Sequence, residues 1–282
     1  MNNILFYGNC QTSAVLNTLN LPNNYNVTHI ECWKEHIDRD HFTNIIKNSD
    51  VIITQPINDN YRDVNYLSTS FIIKNKKEVC KLIIFDSCYF NFYYFDLTYK
   101  KNDGELLRKP IDYHYNKMIE CYLNNSSMEY YISNYVNNVD LKSKEELDTI
   151  ALNSLNELKH RNEKNCNKYD DIDVYMIETY EFIKNNYKDK LLFYSMNHPT
   201  KYVIQFICEK IVEILSICSN INYTNDFLSN PSCILYKCIS KNVNFDIDKQ
   251  ELLTGYDRDI KGITRLYYDT YKEIGLKESG LR

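Results

Sequence analysis

Two short stretches hold residues whose types and placement can do chemistry. The first is Gly8-Asn9-Cys10-Gln11-Thr12, directly after the apolar residues 4–7 (ILFY). Such a run reads as a short buried strand, and Thr12, Ser13 and Ala14 can open a helix behind it. Gly8 allows the sharp turn between them, because it accepts backbone angles that other residues resist. Cys10 and Gln11 would then sit where unpaired N–H groups and the positive helix end favour a thiolate or a bound anion. The second stretch is Ser195-Met196-Asn197-His198-Pro199-Thr200, after residues 190–194 (KLLFY), which read as a short strand. Pro199 favours an extended His198 and a helix soon after. A thiol and an imidazole on two such loops of one parallel sheet can come within hydrogen-bond reach, which nucleophilic or general-base catalysis requires. The plainer readings are a small buried apolar Cys10 and a His198 that only caps a helix.

The elements that must position these residues alternate. Residues 25–31 (YNVTHIE), 51–55 (VIITQ, stopped by Pro56) and 81–85 (KLIIF) read as strands, with helical patterns at 34–48 and 66–74 between them. That order predicts an α/β fold, a parallel sheet flanked by helices in three layers, with its chemistry beyond the carboxyl ends of the strands. Cys10, Gln55 and Asp86 fall there. Residues 87–103 form an aromatic run, expected to be a wall or lid that offers ring faces to a ligand rather than a loop packed by its own rings. Residues 112–186 read as an all-helical insertion or flank, with Ser143 to Glu146 as a capping box. The stripe Ile204, Ile207, Ile211, Ile214 and Leu215 predicts a long helix after Thr200, and a further helix spans 260–274. The domain reading is therefore residues 1–220 as one α/β domain including the helical segment 112–186, and 221–282 as an extension packed on it. The chain ends without a clear stop, as a domain cut from a longer protein would.

Bulk composition removes several function classes. The chain has 282 residues and a net charge of -5, which argues against a nucleic-acid partner. No stretch is apolar enough to predict membrane insertion or a signal peptide. The ten cysteines are scattered without a CxxC pair, so reduced thiols in a cytoplasmic compartment are expected. No His/Cys spacing predicts zinc, and Gly8-Asn9-Cys10 is neither a dinucleotide fingerprint nor a P-loop.

Taken in order, ILFYGNCQ, the Gln55 strand end, Asp86, the FYYFDLTY run, Asp112-Tyr113-His114, Leu158-Lys159-His160-Arg161 and LLFYSMNHPT resemble the WcbI family of capsular polysaccharide biosynthesis proteins. The resemblance covers roughly residues 1–220. It implies a fold similar to SGNH hydrolases, acetyl-CoA or coenzyme A as co-substrate without a metal, and acetyl transfer to a sugar. The acceptor would be the amino group of a nucleotide-linked amino sugar, or a sugar hydroxyl. The resemblance places Cys10 where those hydrolases carry the nucleophilic serine, and His198 at the catalytic histidine. Ser195 departs from the pattern, because an Asp normally stands three residues before that histidine. If an acid orients His198 it must come from elsewhere, with Asp86, Asp96 and Glu163 as candidates.

Further site candidates follow. Asn9, Gln11, Gln55 and Asn197 are candidate oxyanion or substrate-positioning groups, since amide N–H groups can meet a carbonyl oxygen as it becomes negative. Asp86, Asp96, Tyr89, Tyr99 and His114 are candidate acid or substrate-binding residues. Gly8, Thr12, Lys100 and Arg161 are candidates for coenzyme A, with Lys101, Arg108 and Lys109 able to meet phosphates. The alternatives are an SGNH-like carbohydrate esterase or deacetylase, and a non-catalytic CoA- or glycan-binding module. Either version could be fused to, or act with, a glycosyltransferase or other sugar-pathway enzyme.

Overall fold

Five parallel strands line up as β2-β1-β3-β4-β5. They are β1 (Asn2–Gly8), β2 (Tyr25–Glu31), β3 (Val51–Thr54), β4 (Lys81–Phe85) and β5 (Val174–Ile177). The computed structural model describes residues 2–34, 36–169, 173–218, 220–230, 233–247 and 259–277. Register pairs Gly8 with Glu31, Tyr7 with Thr54, Thr54 with Ile84, and Phe85 with Ile177, so the carboxyl ends of all five strands share one edge. The strand order reverses direction at β1, and beside β1 and β3 lies the crevice where ligands of such sheets bind.

The chain divides into two compact units. The first comprises residues 1–89, 155–186 and 198–228, and contains the whole five-stranded sheet. β1, β3 and β4 are apolar on both faces, as helix-covered parallel strands must be. Leu5 and Tyr7 enter one core with Phe42, Ile46, Ile52, Leu82 and Ile84, none of them accessible to solvent. Helix α2 (Arg39–Asn48, capped by the Asp38 carboxylate) and helix α3 (Thr69–Asn75, capped by Ser68) supply the residues that cover that face. Helix α1 (Cys10–Thr18) packs on β1 and on the helix Lys201–Leu215.

The second unit comprises residues 90–154, 187–197 and 229–282. Its core is aromatic. Phe90, Phe92, Tyr93 and Tyr94 are buried, with ring centroids of Phe90 and Tyr93 5.5 Å apart and those of Phe92 and Tyr187 5.4 Å apart. The Tyr93 hydroxyl donates to the Tyr187 carbonyl at 2.7 Å, and the Tyr94 hydroxyl to the Phe193 carbonyl at 3.0 Å. Residues 90, 92, 93 and 94 of the aromatic run are therefore core rather than a wall or lid, while Tyr99 stays 43% exposed. The ring faces of these four are spent on one another, as apolar area of that size in one short stretch favours.

Three further expectations need correction. Residues 112–186 are not all helical: His114–Tyr115 pairs antiparallel with Leu97–Thr98, and Val174–Ile177 is the fifth strand of the sheet, beside β4. The strand before His198 is Phe193–Ser195, which is not among the five parallel strands. Helix α1 begins at Cys10, two residues earlier than Thr12, because Asn9 rather than a later residue provides the cap. The helix Lys144–Lys168 runs through Arg161 and Glu163 and starts at the expected capping box, with Ser143 and Glu146 bonded reciprocally at 3.2 and 2.8 Å. Among the described residues, no helix is long and apolar enough to cross a membrane.

Candidate functional site

The site begins with a shortage of space at the end of β1. A Cβ on Gly8 would overlap Thr12 Oγ1 and come within 2.9 Å of Gln55 Oε1. Gly8 has no left-handed backbone angle, so it is required for close approach rather than for its turn. Asn9 then caps α1, its Oδ1 accepting the Gln11 N–H at 2.9 Å. This puts Cys10 in the first helical turn.

Two buried glutamines tie the neighbouring strand ends to that turn. Gln55 Oε1 accepts the Asn9 N–H at 3.1 Å and the Thr12 hydroxyl at 3.2 Å. Its Nε2 donates to Gln11 Oε1 at 3.0 Å and reaches Ser87 Oγ at 3.4 Å. Gln11 in turn grips the Cys88 backbone, accepting its N–H at 3.0 Å and donating to its carbonyl at 2.9 Å. Each amide's orientation is fixed by a backbone N–H, which can only donate. The loops after β1, β3 and β4 are thus laced together by side chains that leave little donor capacity over. Gln11, Gln55 and Thr12 act here as a frame.

Cys10 Sγ lies 3.7 Å from His198 Nε2. The sequence expectation of a favoured thiolate does not hold in this resting geometry. Burial pushes the Cys10 thiol above its ordinary pKa, outweighing the Gln11 and Cys10 backbone N–H groups that pull the other way. Burial also pushes the His198 imidazole down to about 4. The pair therefore rests as thiol and neutral imidazole, with no ion pair between them, and the ring nitrogen facing sulfur is free of charge to take its proton.

The three carboxyls considered for orienting His198 have bonds of their own. Asp86 Oδ2 accepts the Thr179 N–H at 2.7 Å and its hydroxyl at 3.2 Å, while burial raises the carboxyl to about 6. Asp96, in the second unit, accepts the Tyr236 hydroxyl at 2.7 Å and the Lys117 N–H at 3.0 Å. Glu163 pairs with Lys159 at 3.7 Å on an exposed helix face. Arg161 lies 5.4 Å from the Tyr89 ring and 3.6 Å from Glu157, and its charge bears on Asp86.

Within the second unit, Asn197 Oδ1 accepts from the Tyr113 hydroxyl at 2.6 Å and from Ser195 Oγ at 3.2 Å, and its Nδ2 donates to the Tyr99 hydroxyl at 3.0 Å. His114 is fully buried. Its Nε2 donates to the Leu107 carbonyl and its Nδ1 meets the Tyr271 hydroxyl, each at 3.0 Å. It is a core residue of that unit. Lys100 belongs to the same unit, and its carbonyl accepts the Leu107 N–H.

One polar cluster of the first unit escaped the sequence reading. Ser13, one turn beyond Cys10 on α1, lies 3.2 Å from both His29 Nε2 and Glu31 Oε1. The available signal was the last residue of YNVTHIE, which a parallel register sets beside Gly8. Among the described residues, no group of three or more His, Cys, Asp or Glu is arranged to hold a metal ion.

The family model for the polysaccharide biosynthesis enzyme WcbI matches residues 3–219. The fold is similar to a solved structure of WcbI, described as a novel polysaccharide biosynthesis enzyme in a native form without a disulfide bond between CoA and one of its cysteines. That similarity covers 96% of this chain and 95% of that one, with 18% identity and a TM-score of 0.74. No curated protein matches the chain.

Proposed function

This chain belongs to the WcbI family of polysaccharide biosynthesis enzymes, and on that premise we propose that it is an acetyl-CoA-dependent acetyltransferase acting on a sugar. The observation that carries the reading is the 3.7 Å approach of Cys10 Sγ to His198 Nε2 at the carboxyl end of β1. A thiol next to a neutral imidazole can attack a thioester carbonyl while handing its proton to the ring. The bond from the carbonyl carbon to Cys10 sulfur forms, the bond to the coenzyme sulfur breaks, and the proton on His198 goes to the departing sulfur. The acceptor then attacks the Cys10 thioester, His198 takes its proton, and the Cys10 thiol is restored. Thioester exchange is close to thermoneutral, which suits a cysteine better than a serine in this place.

Coenzyme A as the co-substrate is supported by the CoA named with the solved WcbI structure. The acceptor is a sugar or nucleotide sugar, carrying the reacting amine or hydroxyl. The test is free-thiol release from acetyl-CoA with a panel of nucleotide amino sugars and neutral sugars, repeated for Cys10→Ala and His198→Ala. Release that needs a sugar, and falls on the order of 10²-fold or more in both variants, supports the proposal. Acetate release from an acetylated sugar without coenzyme A would instead mark an esterase. Coenzyme A binding with no turnover would mark a binding module.

A further inference from the structure

The cluster at the carboxyl end of β2 has no part in the acyl-transfer chemistry just described, yet it adjoins it. Glu31 is paired in register with Gly8, and the Cys32 N–H donates to the Gly8 carbonyl at 2.8 Å, so this strand end is fixed to the one that leads into Cys10. Ser13 Oγ, one turn along α1 from Cys10, lies 3.2 Å from Glu31 Oε1 and 3.2 Å from His29 Nε2. Residues three apart on a helix are surface neighbours, about 5–6 Å between Cβ atoms. Glu31 is therefore held by a residue that shares a helix face with the nucleophile, and its charge is felt at the thiol. The Glu31 side chain is 19% exposed, and its salt-bridge partner Lys34 stands 3.4 Å away with 62% of its side chain in solvent. Next along the turn is Trp33, 56% exposed and the one tryptophan of the chain.

A half-buried carboxylate and an imidazole that share one serine hydroxyl, with an exposed indole two residues further along the chain, have complementary tasks. The carboxylate and imidazole can take hydrogen bonds from adjacent hydroxyl groups. The indole offers a broad apolar face to the carbon–hydrogen side of a pyranose ring and keeps a polar N–H at its edge. We propose that Glu31, Ser13, His29 and Trp33 form the subsite that holds the sugar acceptor, with Glu31 accepting hydrogen bonds from ring hydroxyls and Trp33 lying against the ring. The inference rests on the acetyltransferase reading and adds where its acceptor binds.

The single tryptophan makes the test direct, because intrinsic tryptophan fluorescence then reports on this turn and requires no turnover. The protein with coenzyme A present is titrated with glucosamine, glucose and mannose, alone and as their nucleotide-linked forms. At least one sugar is expected to give a saturable change, and Glu31→Gln is expected to weaken that binding at least 10-fold. Urea unfolding of Glu31→Gln serves as the reference for its fold, and His29→Ala, at an exposed position, is expected to weaken the same sugar binding, so the result does not rest on one variant. Absence of any saturable change across the panel would overturn the subsite, as would equal binding by Glu31→Gln. Sugar binding without sugar-dependent release of free thiol from acetyl-CoA would leave the subsite standing and remove the acetyl-transfer reading, so the two failures are distinguishable.

Discussion

At the scale of single residues, burial decides the chemistry of the site. A helix start stabilises a thiolate by a modest amount, on the order of 0.3–1 kcal/mol where exposed, and desolvation opposes it. In Cys10 the second effect wins, and the thiol is raised. His198 is lowered to about 4 by the same cause. A base that must be neutral works above its pKa. The acidic limb of the kcat/KM profile is therefore expected near pH 4, not near the 6.5 of an ordinary histidine. A pH–rate series with sugar acceptor and acetyl-CoA checks this, and a limb at 6.5 would mean that His198 is hydrated in the working enzyme. None of this was legible in the sequence, because residue order shows that a thiol and an imidazole exist but not how much water surrounds them.

At the scale of elements, the lacing of three strand ends is what holds Cys10 in place. Gly8→Ala is expected to cost about 1–3 kcal/mol in urea unfolding, the usual range for forcing a group into a filled space, since Thr12 and Gln55 occupy the position of the new methyl group. Gln55→Leu removes a partner from the Asn9 N–H, the Thr12 hydroxyl and Gln11 Oε1 at once. An expected loss of about 2–4 kcal/mol follows from leaving such groups unpaired in the interior, with a drop in kcat as the turn before Cys10 loosens. Stability unchanged in Gln55→Leu would show that water replaces the amide. Much of this architecture could be read beforehand. Val51–Thr54 and Lys81–Phe85 are short, branched and apolar, and matched their strands. Val174–Ile177 was hidden because it lies between a helix and Tyr180–Asn186, where its apolar residues also fit a helical period. The aromatic run misled for another reason: many rings can mean a ligand wall or a core, and only packing tells which.

At the scale of the molecule, the five-stranded sheet and the whole Cys10–His198 pair fall within one unit, residues 1–89, 155–186 and 198–228. The order of motifs along the chain was enough to find the family, because GNCQ and NHPT mark the two loops that must meet. It was not enough to show how the chain divides, since both units are assembled from three separate segments. The central claim is that Cys10 carries the acetyl group between donor and acceptor. Brief mixing with acetyl-CoA without a sugar, acid quench and intact-mass measurement tests it most directly. The expected result is one acetyl group per chain, on Cys10 by peptide mapping, lost on adding the acceptor and absent in Cys10→Ala. A Cys10→Ser variant with full activity, together with no acetyl adduct on the unaltered protein, would contradict it.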